Sequence, residues 1–412
     1  MGKAMAGEKA LLSVDAALVK ILASVSAPVG SEDLPLADAL GRTLAADVVA
    51  RRTQPPVDVS AMDGYAVRAA ELAAPGARLK LVGESAAGKG FDAALHANEC
   101  VRIFTGAPVP TGADAILLQE DAVVEDGWLA AKAPPGPHIR TKGLDFIEGE
   151  TALSAGTRFG PVELALAAST NTATVRVRRR PRVAIIASGD ELAPPGSELG
   201  PAQIVSTNNF TTAALVTEAG GAPIDLGIFR DDLADLQRAL GLARQAKADV
   251  ILTLGGASVG ERDLLRPALE KEGMTLDFWR IAMRPGKPLI FGSLGDALVL
   301  GLPGNPVAAF VCGLLFLKPL LRAMQGDPDA DADRTEIVLL GSKLPANKAR
   351  RDYLRARLNW NAEGQIVATP QPLQDSSLLT ELVRSQALIV REIGEAAAEA
   401  GEPCRILRLR EL

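Results

Sequence analysis

At 412 residues the chain is too long for a single hydrophobic core, and roughly two to four domains are expected. With 48 % hydrophobic and 23 % charged residues it is globular in composition; a formal charge of −6 argues against a general nucleic-acid binder, yet leaves room for a local basic pocket. Three widely spaced cysteines (Cys100, Cys312, Cys404) with no CxxC, together with two histidines, indicate neither a zinc cluster nor a disulfide framework, and the N-terminus shows no signal pattern, so a cytoplasmic protein is expected.

Ser13 can cap a helix running to about Val25, with Val14, Ala17, Leu18, Ile21, Leu22 and Val25 on one face. A proline-rich stretch from Gln54 to Arg68 follows, in which Asp58, Ser60 and Asp63 stand among small residues and Asp63-Gly64 signals a turn. From Leu79 to Ile147, short strands between glycine-rich turns predict a small all-β module. Its loop Thr105-Gly-Ala-Pro-Val-Pro-Thr-Gly112 is stiff and rich in hydroxyl and N–H groups, able to hold an oxygen-rich ligand. Taken alone, each of these is equally a well-made turn. Pro161 to Ala168 reads as helix, and VRVRRRPR at Val175 as a solvated basic linker before a new domain.

From Arg182 the pattern becomes β-α-β-α-β: strands Val183–Ala187, Ile224–Phe229 and Val250–Leu252, alternating with helices beginning at Thr207-Asn208 and Leu233. The strands end in Ser188-Gly-Asp-Glu191, in Arg230-Asp-Asp232, and in Gly255-Gly256 running through Ser258 to Asp263. Carboxyl ends of parallel strands share one edge, so these groups should converge there. Carboxylates so placed hold Mg²⁺ or act as a general base. The glycines let backbone N–H groups approach an anion. No GxGxxG follows the first strand, which argues against a nicotinamide enzyme. Arg280, Arg284 and Lys287 surround the Pro285-Gly286 turn as a basic site suited to oxyanions. In Leu302-Pro303-Gly-Asn305-Pro306, Asn305 can be the N-cap and Pro306 the first residue of a long apolar helix to Met324; Lys318, Pro319 and its modest length make it buried core rather than a membrane span. GDPDADAD at Gly326 reads as an acidic linker, and the strands beyond it predict a β-barrel or sandwich carrying Arg350, Arg355 and Asp375-Ser376-Ser377.

SAMDGYAV at Ser60, RIFTGAPVPTGAD at Arg102, SGDEL at Ser188, GGASVGERD at Gly255, RPGKP at Arg284 and LPGNPVA at Leu302, in that order and spanning about Leu11 to the C-terminus, resemble the molybdopterin molybdenumtransferases. This is the MoeA family, which includes the gephyrin E-domain. The resemblance implies an α/β multidomain fold, an elongated homodimer whose active cleft is shared between subunits. It implies an N-terminal domain from 8–51 plus 148–181, an inserted β-rich module at 52–147, a central parallel-sheet molybdopterin-binding (MogA-like) domain at 182–326, and a C-terminal β-barrel at 327–412. The implied reaction inserts molybdate into adenylylated molybdopterin with Mg²⁺-dependent release of AMP. A molybdopterin adenylyltransferase would hand over the substrate, and neither nucleic acid nor membrane would be involved.

By position, Arg284, Lys287, Arg355 and Ser376 match the family's molybdate pocket. Glu191, Asp231 and Asp263 match acidic cleft positions that would hold Mg²⁺ or polarise water; Asp63 and Thr105 match residues contributed across the dimer. Gly255, Gly256, Ser258 and the helix start at Pro303, Asn305 and Pro306 would seat phosphate and pterin, and Asp145 is a further match. Three positions depart from the family pattern: Ser188 for threonine, Arg284 for the commoner lysine, and Asp375 where glycine is frequent. A carboxylate at Asp375 would repel molybdate unless it points away. The rival readings are a tungstate-inserting paralogue, a gephyrin-like scaffold without chemistry, and the upstream adenylyltransferase, which resembles the central domain alone.

Overall fold

The computed structural model describes residues 11–256 and 264–409. The chain divides into two compact units, one of residues 33–40 and 46–176, the other of residues up to 32, 41–45 and from 177 onward.

The first unit is built on a six-stranded sheet: β1 (Gly64–Val67), β2 (Arg78–Ser85), β3 (Glu99–Ile103), β4 (Ala115–Leu118), β5 (Ala122–Glu125) and β6 (Trp128–Ala131), in the order β4-β1-β3-β2-β6-β5. Only β2 and β3 pair in parallel, which is why the long connection 86–98 separates them. Alternation along the strands sends Val67, Leu117 and Leu129 into one core and Ala66, Ile103 and Ile116 into another, so both faces are covered. Gly64 has no alternative, since a Cβ there would stand 2.1 Å from the Leu117 carbonyl oxygen.

In the second unit, α1 (Val14–Ala23) starts where Ser13 accepts a hydrogen bond from the Ala16 N–H at 3.2 Å, and buries Val14, Ala17 and Ile21 as their spacing predicts. The central sheet contains β7 (Arg182–Ser188), β8 (Ala222–Phe229), β9 (Val250–Leu254), β10 (Thr275–Trp279), β11 (Ile290–Leu294) and β12 (Ala297–Leu302), ordered β8-β7-β9-β12-β11-β10. β8, β7, β9 and β12 are parallel; β11 runs against both its neighbours. Helices α2 (Asn208–Glu218), α3 (Leu233–Gln245), α4 (Leu265–Lys271) and α5 (Pro306–Met324) complete the layers. Val183, Ile185 and Leu252 face a core shared with α1, α2 and α5, while Ala184, Ile186 and Ile251 face α3 and α4. Two covered faces explain why β9 is buried throughout and apolar but for Thr253.

α5 is long and apolar enough by composition to cross a membrane, but Phe316, Leu317, Leu320 and Leu321 are wholly buried in the core, each contributing about 1.5–3 kcal/mol. Its middle turn, Gly313–Leu317, is π-helical just before Pro319, whose ring would otherwise meet the Leu315 carbonyl.

The last five strands, β13 (Thr335–Leu340), β14 (Arg351–Trp360), β15 (Ile366–Pro370), β16 (Ala387–Arg391) and β17 (Pro403–Arg408), close in the order β14-β15-β13-β17-β16-β14, a barrel rather than a sandwich. A short strand, Met283–Arg284, pairs in parallel with β14 and ties the basic turn to the barrel.

One linker expectation is corrected, and the acidic run at Gly326 does link α5 to β13. The basic run is no solvated linker: Thr174–Arg178 is a strand, and Arg179 forms a bidentate pair with Asp249, both bonds 2.7 Å. The acidic run begins with a buried residue, Asp327, whose carboxylate accepts from Arg322 Nε at 2.7 Å and from the Asp329 N–H at 2.9 Å.

Candidate functional site

The parallel strands β7, β8, β9 and β12 deliver their carboxyl ends to one sheet edge. Because β11 is antiparallel to β10 and β12, the connection from Arg280 to Leu289 lies at the same edge. Three turns therefore meet where the sequence pattern predicts.

The acidic side is built by β7 and β8. Asp190 Oδ1 accepts from the Asp231 N–H at 3.4 Å, and the Gly189 N–H donates to the Phe229 carbonyl at 3.2 Å. Asp231 is exposed as a residue, yet partial desolvation pushes its carboxyl above its ordinary value, the charges of Glu191 and Asp190 push the same way, and a hydrogen bond from Ser188 works against them. Asp232 turns away from this group and caps α3, accepting from the Asp235 N–H at 2.8 Å. Among the described residues no three such side chains already stand at metal-holding distance, and Asp263 and Ser258 lie outside the described residues. The donor set nevertheless fits a hard divalent cation, being oxygen-only and crowded with uncompensated negative charge.

Gly255 and Gly256 both have positive φ, +92° and +61°. A Cβ on Gly255 would stand 2.8 Å from the Ser188 carbonyl, and one on Gly256 2.8 Å from Leu265 Cβ. The pair lets the exit of β9 pass close to its own neighbours, with the Gly255 N–H donating to the Leu302 carbonyl at 3.2 Å. Pro306 opens α5 and Asn305 is its N-cap residue as expected, but the Asn305 side chain makes no capping bond to the helix. Asn305 Nδ2 donates instead to Ser376 Oγ at 2.8 Å, while the Val307 N–H donates to the Ser376 carbonyl at 3.0 Å. The preceding Pro303-Gly304 turn is held from α2, where Asn208 Nδ2 donates to the Gly304 carbonyl at 2.6 Å. The start of α5 thus carries the barrel loop bearing Ser376. Asp375 points into its own turn, accepting from the Ser377 N–H at 2.8 Å and Ser377 Oγ at 2.6 Å, which holds its carboxyl below the usual range.

The four residues matched to the oxyanion pocket prove unequal. Arg355 is 1 % exposed, and its guanidinium donates to the carbonyls of Leu378 at 3.0 Å and Leu373 at 3.1 Å, clamping both ends of the Ser376 loop. Gln374, whose side chain donates to the Arg355 and Gln371 carbonyls at 2.9 and 3.0 Å, completes that clamp. Arg284 pairs with buried Asp352 and borders a cavity of about 240 Å³ lined also by Asn347, Gln374 and Arg391. Lys287 has no ion-pair or hydrogen-bond partner for its ammonium among the described residues. Arg280 is held in a left-handed conformation (φ +79°) and stacks on Trp279 at 4.2 Å, with Arg266 over the same ring at 4.8 Å.

Arg355→Met should therefore act first on stability. It leaves two loop carbonyls without their donors, a loss of about 2–4 kcal/mol readable by denaturant unfolding. Full stability combined with lost turnover would instead place the guanidinium on the substrate.

In the first unit, Asp63 Oδ1 accepts from the Thr105 N–H at 2.7 Å and from Thr105 Oγ1 at 2.9 Å. These two bonds, the backbone one foremost, hold the exposed Asp63 carboxyl below the usual range. Backbone bonds seam the two loops: the Ser60 N–H to the Ala107 carbonyl at 2.9 Å, and the Gly106 N–H to the Ser60 carbonyl at 2.8 Å. Asp145 is exposed beside Gln54, whose carbonyl accepts its N–H at 3.0 Å. Asn208 and Gln374 were not singled out by sequence; both are single amides in polar stretches, with no local signal distinguishing them from ordinary cap and loop residues.

The family profile described as "MoeA N-terminal region (domain I and II)" matches residues 12–171, "Probable molybdopterin binding domain" matches 184–323, and "MoeA C-terminal region (domain IV)" matches 338–409. The chain is 37 % identical over 399 residues to "Molybdopterin molybdenumtransferase" of Haemophilus influenzae, covering 96 % of this chain and 98 % of that protein. It is 35 % identical over 391 residues to the protein of the same name from Bacillus subtilis, covering 92 % and 90 %. Among solved structures, a molybdopterin biosynthesis MoeA protein of Pyrococcus horikoshii superposes with a TM-score of 0.79 at 29 % identity, covering 98 % of this chain and all of that one.

Proposed function

The chain belongs to the MoeA family and is a molybdenumtransferase of molybdenum cofactor biosynthesis; on that premise we propose that it inserts molybdate into adenylylated molybdopterin and releases AMP. The observation that carries this reading is a sheet edge with two chemistries: crowded carboxylates at Asp190, Glu191 and Asp231 after β7 and β8, and, beyond β9 and β12 on the same edge, a cation at Lys287 without a hydrogen-bond or ion-pair partner among the described residues. A nucleotide-bearing substrate and a tetrahedral dianion need such a pairing.

Glu191 and Asp231, with Asp263 by resemblance, would hold Mg²⁺, which supplies charge neutralisation for the leaving phosphate when bound. Lys287 attracts the oxyanion, with Arg284 alongside and Ser376 Oγ presented at the start of α5. Arg355 keeps that loop in place. The backbone at Gly255, Gly256 and Pro303 to Pro306 receives phosphate and pterin, an expectation extended to Ser258. Asp63 and Thr105 act as a pre-formed pair, and the working form is a homodimer with a shared active cleft. Three buried, unpaired cysteines support a reducing, cytoplasmic setting, where an adenylyltransferase would hand over the labile substrate. Asp375 is taken up by Ser377, so its carboxylate is no bar to an anion at Ser376.

Purified protein with Mg²⁺ and adenylylated molybdopterin is expected to release AMP only when molybdate is added. Tungstate, of the same shape and charge, is the parallel arm: release with tungstate alone would move the protein to the paralogue reading. A folded protein that binds the pterin but releases nothing with either anion would favour the scaffold.

A further inference from the structure

The segment RIFTGAPVPTGAD contributes Thr105 to the Asp63 pair, yet its first residue, Arg102, has no part in the site described so far. Arg102 sits on β3 directly opposite Tyr65 of β1. Its guanidinium carbon lies 4.9 Å from the ring centre of Tyr65 and 4.9 Å from that of Phe104. Nη1 donates to the Gly64 carbonyl at 3.2 Å and Nη2 to Gln119 Oε1 at 2.8 Å. The Gln119 N–H in turn donates to the Asp63 carbonyl at 3.2 Å. One guanidinium therefore touches the residue after Asp63 and the residue before Thr105, and reaches Asp63 itself through Gln119.

The chemistry requires arginine. Two aromatic faces and two separate acceptors call for a flat, delocalised cation with donors in fixed directions, which an ammonium does not provide. Among the described residues Arg102 has no carboxylate in ion-pair contact, and its acceptors are a carbonyl and an amide. Its charge therefore remains available to Asp63, whose carboxyl it helps hold low, behind the two Thr105 hydrogen bonds.

We propose that Arg102 is a positioning residue for the Asp63–Thr105 pair, a stacked guanidinium that fixes the spacing of the two loops so that Asp63 orients the Thr105 hydroxyl. This rests on the reading that the pair takes part in turnover. Arg102→Lys keeps a charge and loses the stack and fork; it is expected to lower kcat of molybdate-dependent AMP release about tenfold with little change in the molybdate KM. Because Arg102 acts through the pair, Arg102→Lys combined with Thr105→Ala should be within about twofold of Thr105→Ala alone. Multiplying effects, or an unchanged kcat in Arg102→Lys, would overturn the proposal. If Thr105→Ala and Asp63→Asn both keep full turnover, the functional reading of the pair fails. A readout independent of activity then decides on Arg102: hydrogen exchange of the Thr105 N–H, bonded to Asp63, should be at least several-fold faster in Arg102→Gln, and an unchanged rate would overturn the proposal.

Discussion

Asp231→Asn is expected to cut molybdate-dependent AMP release by about a hundredfold while the melting temperature stays level or rises. The two effects separate because Asp231 sits in a site that disfavours its charge. Partial desolvation comes first, then repulsion from Glu191 and Asp190, and the Ser188 hydrogen bond only partly offsets them. A carboxyl raised in this way contributes stability that is full below its unfolded value and is lost as pH rises through its native value. At neutral pH the ionised side chain is thus a liability to the fold, and the isosteric amide removes it. The same repulsion is what a divalent cation relieves. Mg²⁺ should raise the melting temperature of the unmodified protein, and should raise that of Asp231→Asn much less. Scanning calorimetry with and without Mg²⁺, beside the AMP assay, reads both quantities. A large fall in melting temperature would show that Asp231 holds the edge together, and its loss of turnover would then carry no mechanistic weight.

Lys287→Met is expected to raise the KM for molybdate about 10- to 100-fold, with kcat at saturating molybdate changed far less. The argument comes from what the neighbouring cations already hold. Arg355 gives its guanidinium to the Leu373 and Leu378 carbonyls, Arg284 is paired with Asp352, and Arg280 is stacked on Trp279. Among the described residues Lys287 and Arg280 both lack a hydrogen-bond or ion-pair partner for their charge, and Arg280 is stacked on Trp279, so Lys287 has the least to give up on binding an anion. Arg284→Met should raise the same KM only about threefold, since half of its fork is committed to Asp352. Steady-state kinetics against molybdate concentration measure both. Equal effects from the two variants would mean that the Asp352 pair opens on binding, and no effect from Lys287→Met would move the oxyanion elsewhere.

Much of the fold was legible because period and punctuation agree. Helix α1 starts at Ser13 and buries Val14, Ala17 and Ile21, a face set by a 3.6-residue repeat. β7 and β9 read as continuous apolar runs because both of their faces are covered, and the β-α-β order forces their ends onto one edge. The basic run at Val175 was misjudged because charge composition cannot show a distant partner. Arg179 finds Asp249, and Asp327 finds Arg322 within a turn that only the end of α5 creates.

The candidate site divides along the same line. The ordered motifs and the family resemblance they carry nominated Asp63, Thr105, Glu191, Asp231, Arg284, Lys287, Arg355 and Ser376; residue type alone left the Asp63 and Thr105 stretches as ordinary turns. What each side chain is free to do was decided by the tertiary structure. Arg355 and Lys287 are both cations in the sequence, but one is sealed inside the barrel wall holding a loop and the other has no partner among the described residues. Asn305, a ready N-cap by position, gives its amide to Ser376, and Asp375, a carboxylate that would repel an anion, is taken up by Ser377. Local sequence determines which groups reach the edge, because strand and helix periods act over a few residues. Whether a group arrives paired or unpaired depends on how the folded chain places its neighbours, whether 71 positions away, as Ser376 is from Asn305, or two, as Ser377 is from Asp375.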